Sequence, residues 1–155
     1  MAKAKKKRDK RRRHTRLIGE HGDALLALVL DFQLVEEGLK RYLERAFDLI
    51  RSRTSDLLNF GFDRSSVNDW PLGRLIDNFK KYSGDKQLAK DLEALRPYRN
   101  YCAHRAFMEI MFWRQHTSAP TLDTKKLTEI HEQLRDAGDR VVAHMSRLPS
   151  PKTEE

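Results

Sequence analysis

Residues 23–51, DALLALVLDFQLVEEGLKRYLERAFDLIR, decide the fold class. Within them Leu25, Leu28, Phe32, Val35, Leu39, Tyr42, Ala46 and Leu49 follow one another at alternating intervals of three and four residues. That spacing holds them on one face of an α-helix and reads as the seam of a helical bundle. Asp23 is placed to cap the helix, since a short carboxylate accepts from the free N–H groups of a first turn. At 1.5 Å per residue such a helix is roughly 40 Å long. Gly38 sits inside it at a cost of about 1 kcal/mol relative to alanine, which a close helix crossing would explain.

Outward from this helix the pattern stays helical. Residues 52–68 lose the period, and Ser52, Thr54, Ser55, Asn59, Gly61, Ser65 and Ser66 mark a loop in which Leu57, Leu58, Phe60 and Phe62 are expected to pack. A second helix begins at Pro71, shows Leu72, Leu75, Phe79 and Tyr82 on one face, and ends at Gly84. A short third carries Leu88, Leu92 and Leu95. Pro97 either kinks a continuous helix or opens a fourth, and the second is expected, with a helix running to about Gln115 and apolar residues on most of its circumference; such a helix is central or shared with another subunit. After a loop around Pro120, Asp123 or Thr124 caps a last helix with the seam Leu127, Ile130, Leu134, Ala137, Val141 and Met145. With no strand pattern, the expected fold is all-α, an antiparallel up-and-down bundle of four to five helices. The expected divisions are a disordered basic tail over residues 1–18, one helical domain over 19–148 and a disordered end over 149–155.

The chain has 155 residues and a net charge of +8, but the charge is unevenly spread. Residues 1–16 hold ten cations, among them Lys5, Lys6, Lys7, Arg8, Lys10, Arg11, Arg12 and Arg13, against the single anion Asp9. The remainder carries 21 cations and 22 anions, so the body is nearly neutral. A run of cations binds polyanions by releasing condensed counterions, without reading sequence. RNA, free or in the ribosome, is the expected partner of these residues; a solubilising tail or a localisation signal would look similar. No apolar run approaches a membrane span and no secretory signal is evident. With Cys102 alone, no disulfide framework exists. A cytoplasmic protein without membrane contact is expected.

The candidate chemistry lies in Arg99-Asn100-Tyr101-Cys102-Ala103-His104. An arginine grips phosphate with a planar fork of donors, and a histidine moves protons near neutral pH. If Pro97 opens a helix, Arg99 falls in its first turn, beside free N–H groups and the positive end of the helix dipole. Asn100 and His104 are four apart and share a face, so the amide can orient the imidazole. His104 also aligns with Tyr101 and Met108, which predicts partial burial. Arg96 and Arg105 flank the motif, either to hold RNA phosphates or as solvated charges. The residues alone leave open that His104 is a satisfied core histidine and that Arg99 pairs with Glu93 or Glu109. His14, His21, His116, His131 and His144 show no paired ligand spacing, and neither a metal nor another cofactor is expected.

Arg99, the polar Asn100 and His104 after three intervening residues resemble the active-site motif of the HEPN family, the higher-eukaryote and prokaryote nucleotide-binding domains. The long first helix with Glu36, Glu37, Leu39 and Lys40, and the Pro71-Leu72-Gly73 helix start, are similar in style. The resemblance covers roughly residues 23–146, and only the motif is specific. It implies a metal-independent endoribonuclease, a homodimer whose two motifs face each other across the interface, and a role as a toxin or anti-phage defence effector with an antitoxin or regulatory partner. It implies that Arg99 and His104, with Asn100, are catalytic. Ala106 stands where one subgroup has a modified tyrosine, so that regulation is not implied here. Two further readings stay open: a catalytically inactive relative that binds RNA or protein, and a small helical DNA-binding regulator.

Overall fold

The structure, a computed structural model, describes residues 2–54, 64–115 and 119–149, with side chains described for 8–54, 66–115 and 119–149. Among these residues every regular element is helical, as the all-α expectation requires. Helix α1 spans Ala2–Thr54, a 3₁₀ turn spans Arg64–Asp69, and α2 to α5 span Leu72–Ser83, Lys86–His104, Ala106–Gln115 and Thr124–Arg147. The expected packing of Leu57, Leu58, Phe60 and Phe62 lies outside the described residues.

Three helix boundaries differ from the sequence reading. Helix α1 does not begin at Asp23: it continues back to Ala2, through the segment expected to be disordered. Lysine and arginine are good helix formers, no glycine or proline precedes Gly19, and Arg16 pairs with Glu20 one turn on at 3.0 Å. The same helix runs past Arg51 to Thr54, where the hydroxyls of Ser52 and Thr54 donate to the carbonyls of Leu49 and Ile50. Finally, Pro97 does not open a helix. It lies inside α3, at the expense of one backbone hydrogen bond and about 3 kcal/mol. Buried Leu88, Leu92 and Leu95 anchor the helix before it, and Tyr101 anchors it afterwards.

Other sequence signals hold. Gly84 ends α2 with φ 71°, the left-handed conformation that favours glycine, and its N–H donates to the Lys80 carbonyl. The Asp123 side chain caps α5, accepting from the Lys126 N–H at 2.7 Å.

The chain forms two compact units, Met1–Leu30 with Pro97–Glu132, and Asp31–Arg96 with Gln133–Glu155. The second holds most of the core: Phe32, Val35, Leu39, Tyr42, Leu43 and Phe47 of α1 are buried, as are Leu75, Ile76 and Phe79 of α2 and Leu134, Ala137 and Val141 of α5. Here α1 and α5 approach closely through two glycines. A Cβ on Gly38 would meet Val141 at 3.4 Å, and one on Gly138 would meet Val35 at 3.4 Å; this is the close crossing that Gly38 suggested. A polar clasp closes the unit. Asp85 caps α3 at the Leu88 N–H and accepts from His144 at 2.9 Å, while Arg140 binds Asp91 at 2.7 Å. The Leu88 N–H first, and then His144, hold the Asp85 carboxyl below its ordinary value.

The first unit is built differently. Leu25, Leu28, Ala106, Leu127 and Ile130 are buried, but Leu17, Leu26, Leu30, Phe107, Met108, Met111 and Phe112 are exposed. These are seven of the nine large apolar side chains exposed among the described residues. Helix α4 is therefore not central, as a helix apolar nearly all round would be in one copy of the chain.

Candidate functional site

The motif occupies the last turns of α3, wholly within the first unit. This corrects the expected anion site at a helix N-terminus: because α3 passes through Pro97, Arg99 is interior and His104 is the last helical residue. The backbone there carries the partial negative charge of a helix C-terminus. The cations beside this helix end are the side chains of Arg99 and Arg105.

Arg99 is half-buried, while Asn100, Ala103, His104 and Arg105 are exposed. The expected partial burial of His104 is thus not found, and it is no core histidine. Asn100 and His104 share a face by their four-residue spacing, but among the described residues no hydrogen bond joins them. Arg96, the other flank, belongs to the second unit, where it pairs with Glu93 at 2.9 Å and passes over Gly73. A Cβ on Gly73 would lie 2.6 Å from the Arg96 guanidinium. Of the basic segment, Arg8, Lys10, Arg11, Arg12 and Arg13 are exposed; the side chains of Lys5, Lys6 and Lys7 lie outside the described residues. The half-buried Cys102 thiol is pushed up to about 11 by burial, which leaves it protonated at neutral pH and a poor nucleophile.

A clasp that the sequence reading missed starts from Tyr101 within the motif. The backbone breaks at Arg105 between α3 and α4, yet the Arg105 N–H still donates to the Tyr101 carbonyl and the Glu109 N–H to the Arg105 carbonyl. The Tyr101 hydroxyl donates to Glu109 Oε2 at 2.7 Å, spanning the break. Glu109 also accepts from the backbone N–H and the hydroxyl of Thr121, at 2.7 and 2.8 Å. Burial pushes the Glu109 carboxyl up, but these hydrogen bonds and the Arg105 charge outweigh it and hold the group below its ordinary value. Burial and the Glu109 carboxylate raise the Tyr101 hydroxyl. Glu109 is therefore a charged acceptor on α4 that ties Tyr101 of α3 and Thr121 to it. Only its eight-residue distance from Tyr101, two turns along, hinted at this. Tyr101→Phe removes one charge-assisted bond and is expected to lower stability by about 1 kcal/mol; an unchanged urea midpoint would show that the clasp contributes nothing.

In the same unit, Trp113 receives two histidines edge-on, His14 at 5.7 Å and His21 at 5.5 Å between ring centres. His14 Nε2 lies 3.2 Å from the Trp113 carbonyl oxygen. His21 is 1% exposed, and neither ring nitrogen has a hydrogen-bond partner. Burial lowers its proton affinity, against the opposing pull of Glu109 and Asp123. The folded chain therefore keeps His21 neutral at pH values where the unfolded chain, at an ordinary 6.5, takes up a proton. Stability should fall as pH drops below about 6.5, by at most about 1.4 kcal/mol per pH unit from this group. In denaturation series between neutral and mildly acid pH, His21→Leu is expected to lose less stability than the parent. Equal slopes would contradict the assignment.

No group of three or more potential metal-ligating side chains occurs among the described residues. No helix among them is long and apolar enough to cross a membrane. Compared with protein-family models, curated proteins and solved structures, the chain matches none.

Proposed function

We propose that the chain is a HEPN-like, metal-independent endoribonuclease that works as a homodimer. The observation that carries this reading is the accessibility of the motif: Asn100, His104 and Arg105 stand exposed at the end of α3, with Arg99 half-buried beside them. They are followed directly by an apolar helix whose Phe107 and Met108 are uncovered. A second copy docked on that helix would bury the apolar side chains and bring a second motif near the first.

In the proposed reaction the ribose 2′-hydroxyl attacks the adjacent phosphorus. The new 2′-O–P bond forms as the P–O5′ bond breaks, giving a 2′,3′-cyclic phosphate and a 5′-hydroxyl. His104 takes the 2′ proton as general base, or delivers a proton to the leaving 5′ oxygen as general acid. Arg99 neutralises the charge that develops on the phosphoryl oxygens. Asn100, on the same face as His104, orients the imidazole or the substrate. DNA lacks the attacking hydroxyl and is expected to resist. Such an activity suits a cytoplasmic toxin or defence effector held in check by an antitoxin or regulatory partner.

The test is incubation of labelled RNA with the full chain in EDTA, followed by analysis of the product ends. Cyclic-phosphate ends support the reading. Binding without cleavage would identify an inactive RNA-binding relative, and preference for duplex DNA would identify a DNA-binding regulator.

A further inference from the structure

We propose that residues 8–16 of α1 form a groove-binding arm whose partner is double-helical RNA with its major groove widened by a bulge or internal loop. This deepens the ribonuclease reading, on which the choice of RNA rests, by naming the structured class of RNA that the chain engages.

The argument starts from where the helix puts its charges. At about 100° per residue, Arg11, Arg8, Arg12, Arg16, Arg13 and Lys10 succeed one another around the axis over about 260°. All six are exposed, Arg16 being paired with Glu20 at 3.0 Å, and between Arg8 and Arg16 there is no apolar residue and one anion, Asp9. The sector without a cation holds His14, which is turned onto Trp113. The arm thus meets its own unit on one side and spreads its cations over most of the remaining circumference.

A partner matching that distribution must offer phosphates on several sides at once. A single strand lying along the helix reaches one sector. An anionic membrane surface also reaches one sector and favours an apolar face opposite the cations, which this arm lacks. The groove of a duplex carries phosphates on both lips. An α-helix with its side chains is about 10–12 Å across. The B-form DNA major groove is about 12 Å wide but only about 8.5 Å deep, so it leaves the outer flank of such a helix uncovered. The A-form RNA major groove is deep and narrow; opened by a bulge, it admits the helix and places phosphates along both flanks.

The test uses the full chain carrying His104→Ala, so that the probe survives. Its affinity is measured for a labelled bulged RNA hairpin, a fully paired RNA hairpin, a DNA hairpin of the same sequence and an unstructured RNA of equal length. The bulged hairpin is expected to bind at least about tenfold more tightly than the other three. The pairs Arg8→Gln/Arg12→Gln and Lys10→Gln/Arg13→Gln lie on opposite flanks. Each is expected to weaken binding about tenfold and to reduce the salt slope by about two. Equal affinity for unstructured RNA or for the fully paired hairpin, tighter binding of DNA, or a loss confined to one flank overturns the proposal. Groove binding by this variant, with no cleavage by the parent chain, would remove the ribonuclease reading and leave the arm standing. Cleavage indifferent to both double variants would do the reverse.

Discussion

His104→Ala is expected to reduce RNA cleavage by about 10²–10⁴-fold, the range that a lost general acid or base accounts for, without disturbing the fold. His104 is exposed at the end of α3, so its removal opens no cavity and strands no buried partner. The thermal midpoint should therefore match the parent's, and a fall in cleavage can be read as chemistry. Arg99→Ala is expected to lower cleavage by about 10²–10³-fold through lost stabilisation of the phosphoryl charge. Because Arg99 is half-buried, its stability must be measured alongside. Cleavage undiminished in His104→Ala, with cyclic-phosphate ends still formed, would place the activity elsewhere in the chain.

The motif was legible because its members are close in sequence, and helical spacing alone puts Asn100 and His104 on one face. What surrounds it was not. Pro97 reads locally as a helix start, yet packing on both sides of it carries α3 through, which moved the motif from the positive end of a helix to the negative end. The Tyr101–Glu109–Thr121 clasp and the His21–Trp113 contact join residues of different elements, and no local spacing encodes those meetings. Fold class was legible for the opposite reason. The seam from Leu25 to Leu49, the glycine after α2 and the aspartate before α5 are local devices whose meaning does not depend on distant residues. The arm shows the limit of composition: its charge was evident, but that charge reads as disorder until the absence of any breaker before Gly19 is weighed against it.

A double substitution on α4, Phe107→Ala with Phe112→Ala, is expected to dissociate the proposed dimer and remove cleavage with it. Phe107 is 70% and Phe112 is 53% exposed in one copy, and burying such a side chain contributes about 1.5–3 kcal/mol. Loss of both from each partner costs the association at least about 3 kcal/mol, a factor above about a hundred in Kd. The folded monomer should not notice, since neither ring is part of its core. Leu34→Ala is the control: Leu34 is as exposed, at 69%, but lies in the other unit, so its removal should leave both association and cleavage unchanged. The decisive measurement pairs sedimentation with activity over a dilution series. Cleavage per chain should fall as the parent dissociates, and the double variant should behave at high concentration as the parent does when dilute. A chain that is monomeric where it cleaves fully would mean that one motif suffices, and that the bare face of α4 serves some partner other than a second copy.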